Sequence, residues 1–186
     1  LSLLIAAVLS PILGTISDVM HGKKRFLALF IGIGAIGTGL LVLVDTGDWL
    51  LASLLFIFAK LGFNGANVFY DSLLPHVARP EDVDTVSTRG YAMGYLGGGL
   101  LLLINVVMIQ FLPGNWGPRL SFLSVGLWWA LFSIPIFRHV PEPLTASTTL
   151  VKGLKAVTTS FQQIWNTIKD IRRYRQLFKY LIAYLI

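Results

Sequence analysis

Cysteine is absent from this chain, so it can build neither a disulfide framework nor a thiolate metal site. Histidine is scarce, and His21, His76 and His139 lie far apart, which argues against a metal or catalytic centre. No cluster of His, Asp or Glu sits at one end of an apolar run, so an enzyme is not expected, nor a cofactor. Charge is rare as well: 13% of the 186 residues are charged and 55% are hydrophobic. A water-soluble domain of that length has a large surface for its volume and needs more polar residues to cover it. The net charge of +6 comes from basic clusters beside apolar runs. No basic and aromatic platform for nucleic acid accompanies them. The opening "LSLLIAAVLSPILG" lacks a positive leading segment and a small-residue cleavage site, so a secretory signal is not expected.

What the chain has is long apolar runs. A helix crossing the hydrocarbon needs about 20 mainly apolar residues. Crossings are expected at Leu1–Met20, Phe26–Val44, Trp49–Phe69, Tyr91–Leu112 and Leu120–Phe137, and Leu177–Ile186 is long enough for about half of another. Bare backbone polar groups are not tolerated in lipid, and the runs are too long and continuous for barrel strands, so all are helical. The expected fold class is an all-α membrane bundle with five full transmembrane helices, an amphipathic linker helix and a truncated sixth span. Ser10-Pro11 and Pro135 predict local breaks or kinks, and Trp49, Trp116, Trp128 and Trp129 suit interfacial belts, with the last two alternatively on the lipid face.

Orientation follows from Lys and Arg. Lys23, Lys24, Arg25, Arg79, Arg89, Arg138, Lys152, Lys155, Lys169, Arg172, Arg173 and Arg175 fall on one side and Arg119 on the other, so the first side is cytoplasmic. Residues 70–90, with Glu81, Asp82 and Asp84, then form a solvated cytoplasmic connection. Leu1 lies outside, which predicts an earlier crossing. The organisation expected is a transmembrane half over residues 1–138 lacking its first helix, a linker over 139–176, and the start of a second half at 177–186. In the linker, Leu154, Val157, Phe161, Ile164, Trp165, Ile168 and Ile171 recur at helical spacing among basic residues, as in a helix lying on the membrane surface or binding a partner.

Three constellations carry functional content. Lys60, Asn64, Asn67 and Asp71 are spaced by four, three and four and share one helix face. A Lys at mid-depth costs about 2.5–3.5 kcal/mol against lipid. It therefore faces a cavity, where Lys60 and Asn64 hold a substrate carboxylate with Asn105, or it pairs with an acid on another helix and fixes packing. Asp71 is expected near the cytoplasmic end as a cap or gate contact. Gly90, Gly94 and Gly98, with Gly99 beside them, make a smooth stripe for close helix packing. Gly14 and Asp18 precede a turn at Lys23, Lys24 and Arg25: Gly14 admits a neighbouring helix, Asp18 can face a helix N-terminus or an Arg, and the cations hold the turn in the cytoplasm.

"GTISDVMHGKKR" resembles the signature between helices two and three of the major facilitator superfamily, G-x-x-x-D followed by glycine and basic residues; Gly22 sits one place later than usual and Lys23 replaces an Arg. "FYDSLLPHVA", "VSTRGYAMGYLGGGLLLLIN", "SPILGTISD" and "KKRFL" resemble one branch of it, the vacuolar amino-acid effluxers linked to autophagy in fungi and their bacterial relatives. The resemblance implies that the chain covers helices two to six and the start of seven, and that the turn at Gly14, Asp18 and the cations latches two halves during transport. It implies a multi-pass protein of the inner membrane if bacterial, or of the vacuole if fungal, that moves a small solute, amino acids among the candidates, with a proton or other ion as possible coupling partner. Superfamily antiporters carry G-x-x-x-G-P-x-x-G-G in helix five; here Gly90, Gly94, Gly98 and Gly99 fit and Tyr95 replaces the proline. The competing expectation is a structural or assembly subunit of the membrane without transport.

Overall fold

The computed structural model describes residues 12–14, 22–142, 162, 165 and 166. Four long helices run up and down in chain order: α1 (Lys23–Leu40), extended by a 3₁₀ turn at Leu41–Leu43, α2 (Trp49–Val77), α3 (Val83–Phe111) and α4 (Trp116–His139). Each is long and apolar enough to cross a membrane, and no strand occurs among the described residues. The first expected crossing and the final apolar stretch fall outside the described residues, apart from a helical piece at 12–14. The linker does too, save for the helical residues 162, 165 and 166.

Helices α2 and α3 are longer than their apolar runs. At 29 residues each they extend about 43 Å, against about 30 Å of hydrocarbon. The solvated connection expected over residues 70–90 therefore shrinks to residues 78–82, with Asp71 inside α2 and Asp84 and Arg89 inside α3. Hydropathy registers only the part of a helix that lipid touches, whereas backbone hydrogen bonding continues into the polar interface. Pro75 and Pro135 lie inside α2 and α4 without ending them. Each removes one hydrogen bond, to the carbonyls of Asp71 and Leu131, close enough to the helix end for the last turns to continue. Helix α4 stops at Val140, which is extended ahead of Pro141.

Packing is centred on α1. It lies along α2 and α4, while α3 leans on α4 and touches α2 only lightly. Leu27, Ala66, Phe69 and Leu73 form the core, with Leu13, Ile31, Ile136 and Phe137 packed around them. Phe69 is fully buried and stacks on Phe26 and Phe30 at centroid distances of 5.3 and 5.7 Å. The helices approach closely where side chains vanish. A Cβ on Gly62 would overlap the backbone of Gly34 and Phe30, one on Gly126 would meet the backbone of Ala35 and Gly39, and one on Gly34 would strike the Trp129 ring. Trp129 thus packs inward, edge-on to Phe63 at 6.0 Å, instead of in a belt or on the lipid face. Trp49 and Trp116 begin α2 and α4 and stay exposed, as interfacial residues do. Large apolar side chains cover the outside of all four helices, the arrangement a lipid solvent requires.

The two ends differ in charge. At one end Gly22, at φ 95°, starts α1 in a backbone conformation open to glycine. Lys23 is buried and its Nζ lies 3.4 Å from the Ser72 carbonyl of α2. Lys24 Nζ donates to the carbonyls of Phe137 (2.8 Å) and Val140 (2.7 Å), at the end of α4. Arg25 is exposed. At the opposite end Arg119 donates from Nε to the Val42 carbonyl at 2.8 Å, at the end of α1, and lies 3.8 Å from Asp45.

Candidate functional site

Helix α2 is two-faced. Gly62, Gly65, Ala66, Phe69 and Leu73 are buried, mostly against α1. At 3.6 residues per turn, Lys60, Asn64, Asn67 and Asp71 fall on the opposite side of the same helix. Lys60 Nζ lies 5.2 Å from the centroid of the Phe63 ring. Asn64 is half-buried, and Asn67 borders a cavity of about 220 Å³ between α1, α2 and α4. Asp71 borders a second cavity, about 430 Å³, between α2 and α3. Among the described residues no side chain pairs with the Asp71 carboxylate or with the amides of Asn64 and Asn67.

That second cavity joins Asp71, Gly90 and Gly94 to aromatic residues the sequence pattern did not single out for a site. Phe63, Tyr70 and Asp71 come from α2, and Ser87, Tyr91 and Tyr95 from α3, with Gly90 and Gly94 keeping the α3 wall thin. Tyr70 also borders the first cavity and a third of about 410 Å³ at the basic end, near Val86, Pro135 and His139. Its hydroxyl would stand 3.5 Å from a Cβ on Gly90, so it separates the second and third cavities. The available signal was the i, i+4 pair Tyr91–Tyr95 on a glycine-rich helix, which gains meaning only when α2 is placed beside it. A groove of about 550 Å³ on the α1–α2 surface is lined by residues such as Leu29, Ile36 and Phe58 and offers nothing to orient a polar solute.

Asn105 is elsewhere. It is buried in α3, and the Ser124 hydroxyl of α4 donates to its Oδ1 at 2.8 Å, so its partner in the structure is Ser124 and not Lys60 or Asn64. A Cβ on Gly94, Gly98 or Gly99 would meet no atom within 4 Å, and Gly90 approaches only Tyr70. Among the described residues the stripe therefore has no helix packed on it, and Gly34, Gly62, Gly117 and Gly126 occupy the close contacts instead. Gly14 likewise faces open space, and Asp18 lies outside the described residues. No group of three or more potential metal ligands occurs among the described residues.

Bundle, charge asymmetry and apolar exterior together define a multi-pass integral membrane protein. The chain belongs to the family described as vacuole effluxer Atg22 like, whose model matches residues 1–186. Among curated proteins it is 36% identical to an uncharacterized MFS-type transporter, YxiO, of Bacillus subtilis, over 99% of this chain and 44% of that protein. It is 25% identical to autophagy-related protein 22 of Kluyveromyces lactis, over 88% of this chain and 36% of that protein, and 22% identical to autophagy-related protein 22 of Yarrowia lipolytica, over 100% and 44%. The chain thus spans less than half the length of these relatives. No solved structure matches it.

Proposed function

We propose that the chain is part of a secondary transporter that moves a small solute across the membrane by alternating access, amino acids being the leading candidates and efflux the leading direction. The carrying observation is the polar face of α2: Lys60, Asn64, Asn67 and Asp71 stand opposite the face buried against α1. Exposing such a stripe to lipid is costly. Its natural environment is a wet passage, closed on the far side by chain beyond these four helices. The names and greater length of the relatives support the same reading, as does the light contact between α2 and α3, which leaves a seam able to open. In this scheme residues 1–138 belong to one half of the carrier, 139–176 link the halves, and 177–186 begin the second. The positive-inside rule places the Lys24 end in the cytoplasm, where Asp18 and the Lys23–Arg25 turn serve as the latch.

The test is flux through the full-length protein in proteoliposomes, screened against labelled amino acids under several imposed pH gradients. Protein-dependent uptake that changes with the gradient is expected. Correctly inserted protein that moves none of them would leave the bundle a structural subunit.

A further inference from the structure

The geometry points to the α2–α3 cavity as a binding site for the protonated amine of a solute with an apolar body, with the Asp71 carboxylate as counter-ion and the rings of Phe63, Tyr70, Tyr91 and Tyr95 as walls. Its purpose rests on the transport reading; its binding does not.

Asp71 is exposed on the described helices, toward the interfacial end of α2, and a carboxylate on the polar face of a membrane helix gains from a positive partner. Asp71 has no ion pair or hydrogen bond to its side chain among the described residues. The basic residues of the two walls do not supply one. Lys60 is three turns away along α2, about 16 Å of helix rise, and its ammonium is placed over Phe63. Arg89 of α3 is exposed and forms no ion pair with Asp71. Among the described residues the cavity thus holds a carboxylate that no cation reaches, the Lys60 ammonium lying on Phe63 at its far wall.

The walls select among cations. Four aromatic rings border one space of about 430 Å³, with the Ser87 side of α3 completing it. Aromatic faces attract ammonium groups and accept apolar carbon equally well. The chain itself provides an instance, since the Lys60 ammonium sits 5.2 Å from the Phe63 centroid. A divalent metal would require several oxygen ligands, and among the described residues Asp71 is the one carboxylate bordering the cavity. A bare proton would gain nothing from the rings. An anion would be repelled. The volume exceeds what a lone ammonium needs and accommodates an attached aliphatic or aromatic body. For an α-amino acid the amine end would enter here, and the Lys60 end of the stripe would be left for the carboxylate as the solute moves along α2.

Full-length protein in nanodiscs, in sodium-free buffer near neutral pH, is titrated calorimetrically with three probes: leucine methyl ester (amine, no carboxylate), 4-methylpentanoate (carboxylate, no amine) and leucine. The ester is expected to bind and 4-methylpentanoate not. Asp71→Asn should weaken ester binding roughly ten- to hundredfold, the loss of a charge-assisted contact, and Asp71→Glu should retain most of it. Tyr91→Leu should weaken it several-fold while Tyr91→Phe, which keeps the ring face, changes it little. Should Asp71→Asn fail to fold, the Tyr91 pair carries the test. Equal binding of ester and 4-methylpentanoate, no binding of the ester to the unmutated protein, or indifference to both Asp71→Asn and Tyr91→Leu would overturn the assignment. Amine binding that depends on Asp71 without flux of any solute would refute transport and keep the site; amino-acid flux indifferent to Asp71→Asn would do the reverse.

Discussion

Lys24 and Arg119 hold the same pair of helices together from opposite ends. Lys24, in the first turn of α1, donates to the carbonyls of Phe137 and Val140 at the end of α4. Arg119, in the first turn of α4, donates to the Val42 carbonyl at the end of α1. The last carbonyls of a helix have no helical donor, and the C-terminal end carries partial negative charge, so a cation from the antiparallel neighbour answers both needs. The exchange makes α1 and α4 one body, clamped above and below, while α3 is held more loosely.

Breaking either clamp should destabilise the bundle without changing its course through the membrane. Lys24→Met and Arg119→Leu are each expected to cost about 1–3 kcal/mol, the range for hydrogen bonds from charged groups. Arg119→Lys should recover only part, because the forked guanidinium geometry is lost. Thermal unfolding of the purified full-length protein in detergent reads the effect, and two substitutions that leave it unchanged would show that the clamps are incidental.

The glycines should divide into two classes. At Gly62 an added methyl would run into the backbone of Gly34 and Phe30, so Gly62→Ala should destabilise by about 1–3 kcal/mol or more through overpacking. At Gly98 a methyl meets nothing among the described residues, and Gly98→Ala should leave the melting temperature unchanged or slightly raised. If Gly98→Ala nonetheless slows flux in the full-length protein, the stripe serves contact with the remaining chain.

Asn105 and Ser124 should be energetically coupled. Their hydrogen bond joins α3 to α4 at 2.8 Å, and side-chain hydrogen bonds between membrane helices average about 0.6 kcal/mol with a maximum near 1.7 kcal/mol. A double-mutant cycle of Asn105→Leu and Ser124→Ala in unfolding free energy is the measurement. A coupling of zero would mean that water or another group replaces the bond.

Lys60→Leu should depress flux by roughly tenfold or more if its ammonium orients the solute, as loss of one charge-assisted contact would predict, and it should leave membrane insertion intact. Normal flux would assign Lys60 to packing beside Phe63.

The approximate positions of the four described crossings, their helical nature and the basic end of the bundle were all legible in the amino-acid order. Each depends on local hydropathy and on charges at the ends of runs, which a single segment carries by itself. The common face of Lys60, Asn64, Asn67 and Asp71 was legible for the same reason, since 3.6-residue geometry needs no neighbour. What needed tertiary structure was every statement about which surfaces meet. Nothing in the spacing of Gly34 and Gly62 says that these two touch while Gly94 and Gly98, in a more regular series, meet nothing among the described residues; only the crossing of α1 over α2 decides it. Asn105 was expected beside Lys60 and Asn64, and it meets Ser124 instead because α3 leans on α4. Nothing in the order of residues put Tyr91 and Tyr95 on one cavity with Asp71 until α3 was set beside α2. In a bilayer, apolar attraction does not tell a helix which face to bury, so the chain's composition fixed where the helices lie, and close packing between particular side chains fixed how they are turned.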